Sequence, residues 1–500
     1  MDYDAIIIGS GVTGLTGGLY LAKQGKRVLI LEKGRRVAPV ISGFTRQGLR
    51  FDTGLHVSGG LADGEILHSI LQLLGIASCL HPMPLRQDSP EIVHVDDGPP
   101  PMSLPRGRDA LRAALLGYFP GEQRAIDAYF AETLRLAQSS PFLNPDLRED
   151  DEQAAFLPEQ TLADFLARHT DNPLLGLVLS LRCLLHGVPA GKASLRSHAL
   201  VDSSMQQSLC TLQGGGNALA KALAAAFRRH GGTLRTRCGA RRILIENNAV
   251  SGVVTENGLT HSAPLCLFTA HPALLPDMAP PDAFRPVYRR RLESLQETVS
   301  CCMLFARIAG ETAAAADALE GRSFYLCPNV SFDRLLDGRD PESNVVYFSV
   351  PPREKPESPL TLTAIMPCES SRFAPWEQSS TGRRPAAYIR EKNALLRHME
   401  QRILRKFPIL EGRLVIVDGA TPLTLGEYGN NPRKGIYGVL HNADGIPLLP
   451  KTRVRGLLLA GQSIVLPGIL GCMVSAFVAC RFAANTANIH EDLRRCRENV

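Results

Sequence analysis

The sequence predicts an α/β chain: a doubly wound, mostly parallel sheet built from separated stretches, with an inserted α+β domain. Three observations predict it. The apolar residues 5–8 run straight into a glycine-rich turn at 9–14 and then into a helical pattern. A second apolar run, RVLILEK at 27–33, follows at the distance a βαβ unit requires. The same punctuation of glycine turns and buried strands returns after residue 214 and again after residue 456. The expected division is therefore discontinuous: 1–75, 196–284 and 412–500 form the sheet domain, and 76–195 with 285–411 form the inserted one.

The elements follow in order. Residues 4–9 read as a buried parallel strand because, after Asp4, they are continuously apolar and rich in isoleucine. Residues 14–25 read as a helix that stops at Gly25, and 27–33 as the next strand. Residues 61–77 carry a helical pattern. PPPMSLPRG at 99–107 reads as a proline-rich connection, and residues 108–119 and 122–138 as amphipathic helices. Residues 161–187 read as helical; the apolar stretch 174–185 is interrupted by Arg182 and too short to span a bilayer, so a buried helix is expected. From Gly214 the order is glycine turn, helix, Gly-Gly turn and two strands, with residues 263–270 as another buried strand. Within the mixed segment 285–410, SCCMLFARI, NVVYFSV and LTLTAIM read as strands. The stretch from Gly456 reads as strand, glycine-rich loop and helix.

Composition narrows the function. Five hundred residues, 44% hydrophobic and 21% charged, are ordinary for a globular chain of two domains. The net charge of +6 is spread out, with no dense basic block, which argues against a nucleic-acid partner and leaves peripheral contact with an anionic membrane open. The twelve cysteines form no CxxC pair, and the adjacent Cys301 and Cys302 are expected to be buried as small hydrophobes. Reduced thiols and no metal site are the expectation. The start, MDYDAIIIG, has no basic region and only a short apolar run, so a cytoplasmic protein is expected.

Gly9-Ser10-Gly11-Val12-Thr13-Gly14 is a G-x-G-x-x-G turn between a strand and a helix, the context of a Rossmann-like dinucleotide site. Gly9 permits the tight turn, Gly11 lets a pyrophosphate approach the backbone, and Gly14 lets helix and strand pack closely. The helix start offers free N–H groups to the phosphates, with Ser10 and Thr13 beside them. Glu32 ends the second strand, where a carboxylate accepts hydrogen bonds from an adenosine ribose. Lys33 follows it; with Arg35 and Arg36 it could face a phosphorylated ribose or form a solvated charge cluster. The turn alone does not separate FAD from NAD.

Further blocks carry a resemblance. They are Phe51-Asp52-Thr53-Gly54-Leu55-His56, FPGEQRAIDAYF at 119–130, GGGNALAKAL from 214, Gly435-Ile436-Tyr437-Gly438 and GLLLAGQSIVLPGILG from 456. In this order, nearly end to end, the chain resembles the phytoene desaturase, carotenoid isomerase and retinol saturase group of amine-oxidase-like flavoproteins. The resemblance implies noncovalent FAD held by Gly9, Gly11, Gly14 and Glu32. It places the backbone of Ala240 at the adenine and Gly461 and Gln462 near the pyrophosphate and ribityl chain. Gly468, Ile469 and Leu470 would bring backbone N–H groups to the flavin edge. One place departs: the group has Gly-Gly shortly after the ribose-binding acid, and this chain has Ala38-Pro39. Two side chains are therefore expected where backbone meets flavin.

The implied chemistry is hydride transfer at flavin N5 that saturates, desaturates or isomerises a hydrophobic polyene, with NAD(P)H open as an external reductant. His56 is the candidate titrating group, four residues after Asp52; its alternatives are proton donor, positioning group or structural histidine. Tyr437 is a candidate wall or catalytic residue, and Glu427 and Tyr428 are candidates for the cavity rim. Two rival readings stand: an amine or amino-acid oxidase, and a flavin-free prenyl-binding protein of the GDP-dissociation-inhibitor type.

Overall fold

The computed structural model describes residues 1–140, 144, 160–310, 312–483 and 489–498. Five strands form the first sheet, in the order Leu457–Leu459, Cys266–Phe268, Ala5–Ile8, Val28–Leu31 and Thr233–Arg235, every pair parallel. The first strand is central and later strands are added on both sides, which is doubly wound topology. Both faces are covered, and the two-residue period of a strand divides the side chains between them. Ala5, Ile7, Val28 and Ile30 share a core with Leu15 and Leu19 of helix Val12–Lys23 and with helices Gly215–Arg229 and Gly468–Cys480. Ile6, Ile8, Leu29 and Leu31 face the other way, onto Ile243, Val250 and Val253 of a three-stranded antiparallel sheet.

The second sheet has seven strands, in the order Leu414–Ala420, Ser300–Ile308, Thr361–Cys368, Val346–Val350, Arg322–Cys327, Glu91–Val95 and Met102–Leu104. Its pairs are antiparallel except Arg322–Cys327 with Glu91–Val95. Phe324 and Leu326 pack with Leu395, Met399 and Ile403 of helix Ala386–Lys406. Tyr325 and Cys327, on the opposite face, pack with residues of helices Gln123–Gln138 and Leu195–Gln207.

Several expectations change. The proline-rich connection at 99–107 contains the edge strand Met102–Leu104, a position where flanking prolines cost the ladder nothing. Residues 161–187 form three helices, Leu162–His169, Pro173–Ser180 and Cys183–His186. The break falls where Pro173 lacks an N–H and holds Asn172 extended; the Asn172 Oδ1 then caps the next helix by accepting from Leu174 and Leu175. Leu175, Leu177 and Leu179 are core residues, as expected for a buried helix. No helix among the described residues is long and apolar enough to cross a membrane.

Packing also moves the expected domain boundaries. Strand Leu414–Ala420 pairs with Ser300–Ile308 and so belongs to the second sheet, not to the 412–500 segment of the first. Leu195 and Ala199, on either side of the expected boundary at 196, both lie in the core with Val93 and Tyr325. Leu292, placed in the inserted domain, packs with Ile6 and Leu29. Sequence spacing marks the turns; which sheet a peripheral element joins is settled by long-range burial.

Candidate functional site

The three glycines of the first turn are glycine for different reasons. Gly9 has φ +104°, and a Cβ there would meet Thr269 Oγ1 at 2.8 Å. At Gly14 a Cβ would stand 2.0 Å from the Gly9 carbonyl oxygen. Gly11 has φ −61° and ψ 177°, which any residue adopts, and a Cβ on it would meet nothing within 4 Å. No neighbouring protein atom requires glycine at 11; a Cβ there would enter open space above the turn. No side chain caps the N-terminus of helix Val12–Lys23, which leaves its first N–H groups directed at this space.

Ser10 is buried beside Glu32. Its N–H and Oγ–H donate to Glu32 Oε2 at 2.9 and 2.6 Å, and the Gly34 N–H donates to Oε1 at 2.6 Å. A carboxylate offers about four acceptor sites, so one remains for a ribose hydroxyl. Lys33 turns aside to pair with Glu256 at 3.4 Å, the solvated reading of that charge. Ala240 opens the strand Ala240–Glu246 two residues after Cys238, whose N–H donates to the Glu32 carbonyl at 2.8 Å.

The distant glycine loop meets this turn. Gly461, at φ +129°, donates its N–H to Ser475 Oγ at 2.9 Å, and a Cβ on it would lie 3.6 Å from the Thr269 carbonyl. Thr269 therefore touches both glycine segments. Thr13 Oγ1 donates to the Cys472 carbonyl at 3.1 Å. The Gln462 carbonyl accepts from His441 Nε2 at 2.7 Å. Gly468, Ile469 and Leu470 form the uncapped first turn of helix Gly468–Cys480. An adenine dinucleotide fits this arrangement: free space over Gly11, an acceptor at Glu32, and uncapped N–H groups at the starts of two helices.

Gly468, Ile469 and Leu470 also line a cavity of about 200 Å³. His56 and Tyr437 line the same cavity, and so do Leu184, Leu200, Met205, Val345 and Ile365. Among the described residues, no aspartate, glutamate, lysine or arginine contributes to its wall. Desolvation pushes the His56 imidazole down to about 4, with the Thr53 carbonyl opposing the shift, so His56 is neutral near pH 7. Asp52 does not serve it. The Asp52 carboxylate accepts from the Gly216 N–H at 3.2 Å, and a Cβ at Gly215 would lie 2.1 Å from its Oδ1. It caps the helix Gly215–Arg229, which explains the glycine at 215; a Cβ at Gly216 would instead lie 2.1 Å from the Ile41 carbonyl oxygen. Burial raises the Tyr437 phenol well above its ordinary value, and its OH donates to the Leu184 carbonyl at 3.1 Å. Glu427 pairs with Arg384 at 3.1 Å, and Tyr428 is 56% exposed; neither lines the cavity.

Sequence reasoning missed several walls. Tyr325 and Tyr347 are paired across adjacent strands and both line the cavity, with their hydroxyls held by Glu91 at 2.8 Å and Ser323 at 3.0 Å. Ser300 is 3% exposed, lines the cavity, and its Oγ has no hydrogen-bond partner among the described residues. Their signal was present in the alternation of each strand, but only the assembled sheet shows which face meets the cavity. Ala38 stands in the left-handed region that favours glycine: φ is +46°, and its N–H donates to the Ser10 carbonyl at 3.1 Å. Its methyl is buried in the core with Val12 and Ile41, and neither Ala38 nor Pro39 lines the cavity.

Behind Leu184 lies a buried polar chain. Arg182 forms a two-point ion pair with Glu91, stands 3.5 Å from Asp202, and Asp202 accepts from Tyr129 OH at 2.7 Å. Tyr129 OH is 2.9 Å from His198 Nε2, and His198 Nδ1 is 3.3 Å from His186 Nε2. With Cys183 these histidines have the spacing of a three-ligand metal site, which the sequence reading did not foresee. The Val188 N–H donates to His186 Nδ1 at 3.3 Å. This places the His186 proton on Nε2, directed at His198 Nδ1. The ring nitrogens are thus satisfied by the protein alone.

Comparison with known proteins agrees with the geometry. Residues 12–397 match the model of the flavin-containing amine oxidoreductase family. The chain is 26% identical over 540 residues to an all-trans-retinol 13,14-reductase of Danio rerio, covering 98% of this chain and 87% of that one. It is 30% identical over 284 residues to a chloroplastic prolycopene isomerase 2 of an Oncidium hybrid cultivar, covering 51% and 46%. Cyclohexylamine oxidase from Brevibacterium oxydans superposes with a TM-score of 0.59 at 18% identity, covering 100% of this chain and 99% of that one. The fold is the amine-oxidase-like one, a dinucleotide-binding sheet domain with a substrate domain. A glycine turn with room for a dinucleotide, a second glycine helix start beside it and a family match across most of the chain lead to one statement: this protein belongs to the flavin-containing amine oxidoreductase family.

Proposed function

We propose that this chain is an FAD-dependent oxidoreductase that saturates, desaturates or isomerises a carbon–carbon double-bond system in a hydrophobic polyene or isoprenoid-like substrate. The observation that carries the reading is the cavity. It adjoins the helix start at Gly468, is walled mainly by aliphatic side chains and three tyrosines, and among the described residues has no carboxylate, lysine or arginine in its wall. Burying hydrocarbon there is favourable at about 25 cal/mol per Å²; burying an unpaired ammonium is strongly unfavourable. The similarity to retinol reductases and prolycopene isomerases points the same way.

Gly9, Ser10, Gly11, Thr13, Gly14 and Glu32 would hold the adenosine diphosphate half of FAD, and Gly461, Gln462 and the 468–470 turn the flavin half. Bound FAD supplies a two-electron acceptor or donor, with NAD(P)H as an external reductant in the saturating direction. The protein's own part is orientation and water exclusion. Leu200, Met205, Val345 and Ile365 hold the substrate; Ser300 offers one hydroxyl to a polar atom on it. His56 acts as a neutral positioning group, because an imidazole held near 4 carries no spare proton at neutral pH.

The test is anaerobic. FAD-loaded, pre-reduced protein is mixed with a retinoid or carotenoid, and the polyene band and flavin bands are followed together. Polyene bleaching with flavin reoxidation, or a polyene shift without net flavin change, agrees with the proposal. Peroxide release with aliphatic amines and no response to polyenes refutes it in favour of an amine oxidase.

A further inference from the structure

Cations that lie scattered along the sequence are gathered by the fold. Segments 33–51 and 203–245 hold twelve of the 55 Lys and Arg residues and no Asp or Glu; without them the net charge of +6 turns negative. The two segments meet at one edge of the first sheet. Strand Val28–Leu31 pairs with Thr233–Arg235, and the Arg237 N–H donates to the Gly34 carbonyl at 2.9 Å. Helix Gly215–Arg229 and loop 36–45 enclose an open groove of about 580 Å³. Arg36, Lys221 and Arg228 stand on its walls, with no carboxylate among the described residues. Lys221 and Arg228, seven residues apart, share one face of the helix. Lys221, Arg228, Arg229 and Arg237 are exposed and make no ion pair among the described residues. Glu256, Glu354 and Asp418, which approach these segments, are already paired with Lys33, Arg50 and Arg46.

One spot on this face is apolar. Val40, on the loop that carries Arg36, is 46% exposed, and Tyr428 is 56% exposed. Their segments adjoin, because a Cβ on Gly429 would lie 3.7 Å from Val40 Cγ2. Val40 also backs the cavity: its carbonyl accepts from Thr53 Oγ1 at 2.6 Å, and Gly54 lines the cavity wall. An apolar spot beside a field of unpaired cations is the anatomy of an interface for an acidic protein. Nucleic acid would meet the cations but leave the apolar spot without a partner. Helix Gly215–Arg229 is about 22 Å long, a span that the roughly 800 Å² of a standard interface covers. We propose that this face docks an acidic electron-carrier protein, which passes electrons from NAD(P)H to this chain. The proposal rests on the reading of the chain as a flavin enzyme that saturates double bonds. Two carriers each lose one electron; that pair and one proton from water make up the hydride that saturation consumes, and a second proton from water completes the product.

The probe is a strongly acidic [2Fe–2S] ferredoxin, reduced beforehand, freed of reductant and mixed anaerobically with the FAD-loaded full chain. The flavin band is expected to bleach as the ferredoxin reoxidises, with a second-order rate that falls steeply as salt rises. Lys221→Gln, Arg228→Gln and Arg229→Gln together should slow that rate about tenfold at low salt. Val40→Asp should slow it too, by setting an unpaired carboxylate against an acidic partner. Arg124→Gln, Arg168→Gln and Arg405→Gln together remove the same charge from exposed positions on helices packed against the second sheet, and should leave the rate close to wild type. Dithionite should reduce every variant alike, and FAD content and melting temperature show that each is folded. Binding of oxidised ferredoxin to the apoprotein, followed by calorimetry, should rank the variants in the same order. Ferredoxin-driven reduction without polyene turnover would sustain the docking face and refute the proposed substrate. Wild-type protein reduced no faster by ferredoxin than by NADPH alone, folded helix variants reduced at the wild-type rate, or duplex DNA bound by this face while ferredoxin is not, would overturn the proposal.

Discussion

Replacing Gly11 with alanine should separate folding from cofactor binding. A Cβ at Gly11 meets no protein atom within 4 Å, and φ −61°, ψ 177° is open to alanine. Two small effects oppose each other in the apoprotein. Alanine narrows the unfolded ensemble, stabilising by about 0.4–1 kcal/mol; it is also the poorer helix N-cap by up to about 1 kcal/mol. The net change should stay within about 1 kcal/mol. The same methyl stands where the pyrophosphate must touch the backbone, and FAD affinity should fall at least about tenfold, or about 1.4 kcal/mol. Gly14→Ala is the contrast. Its Cβ would lie 2.0 Å from the Gly9 carbonyl oxygen, and neither helix nor strand can yield without moving the turn. A cost of about 3 kcal/mol is expected, at the upper end of overpacking. The assays are apoprotein melting temperature and quenching of FAD fluorescence on titration. Gly11→Ala binding FAD like wild type would show that no pyrophosphate crosses this turn. Gly11→Ala melting as low as Gly14→Ala would show that the space above it is not open.

The buried ion pair gives a second prediction. Glu91 and Arg182 are 4% and 8% exposed, and Asp202 stands 3.5 Å from the same guanidinium; Glu91→Ala should cost about 3–5 kcal/mol in chemical denaturation, whereas replacing Glu91, Arg182 and Asp202 together with apolar residues of similar size should recover most of it. A third concerns pH. Burial holds His56 near 4 and His198 near 3, against 6.5 for a free imidazole. The unfolded chain therefore takes up more protons between those values. Their contribution to stability is complete above pH 6.5 and is lost as pH falls toward 4 and then 3; His56→Gln should flatten that slope in denaturation midpoints measured from pH 7 to pH 4.5. Fourth, Ala38→Gly should be neutral or stabilising by less than about 1 kcal/mol in thermal denaturation. It removes left-handed strain of about 1–2 kcal/mol at φ +46° and returns part of it as unfolded-state entropy.

Local signals and long-range ones were legible to different degrees. The first turn was readable because each glycine answers a local geometric demand, and Glu32 follows at a fixed chain distance. The shared position of His56, Tyr437 and residues 468–470 at one cavity followed from resemblance, not from any periodicity. Ser300, Tyr325 and Tyr347 were invisible because one strand alternation fits either face until the neighbouring strands are known. Glu91, Arg182 and Asp202 lie far apart in sequence, and each alone looks like a surface charge. Their burial follows from sheet and helices closing around them. The break at Pro173 was a missed local signal: proline preceded by Asp171-Asn172 is a helix start, and a long apolar run masked it.

The same scaffold superposes on an amine oxidase and aligns end to end with retinol reductases, so the fold cannot choose between their chemistries. The wall of the cavity can. Tyrosines near a flavin could in principle face a cation, but each hydroxyl here is engaged: Tyr325 on Glu91, Tyr347 with Ser323, Tyr437 on the Leu184 carbonyl. Among the charges near the wall, Arg182 lies behind it, paired with Glu91 and Asp202, and Asp202 also accepts from the Tyr129 hydroxyl. A positively charged substrate would surrender its hydration and find no partner, a cost of several kcal/mol. An uncharged chain with conjugated carbons surrenders nothing of that kind and fills aliphatic space. Introducing an acid at Leu200 or Val345 should therefore favour amines over polyenes, and its failure to do so would place the discrimination elsewhere than in this cavity.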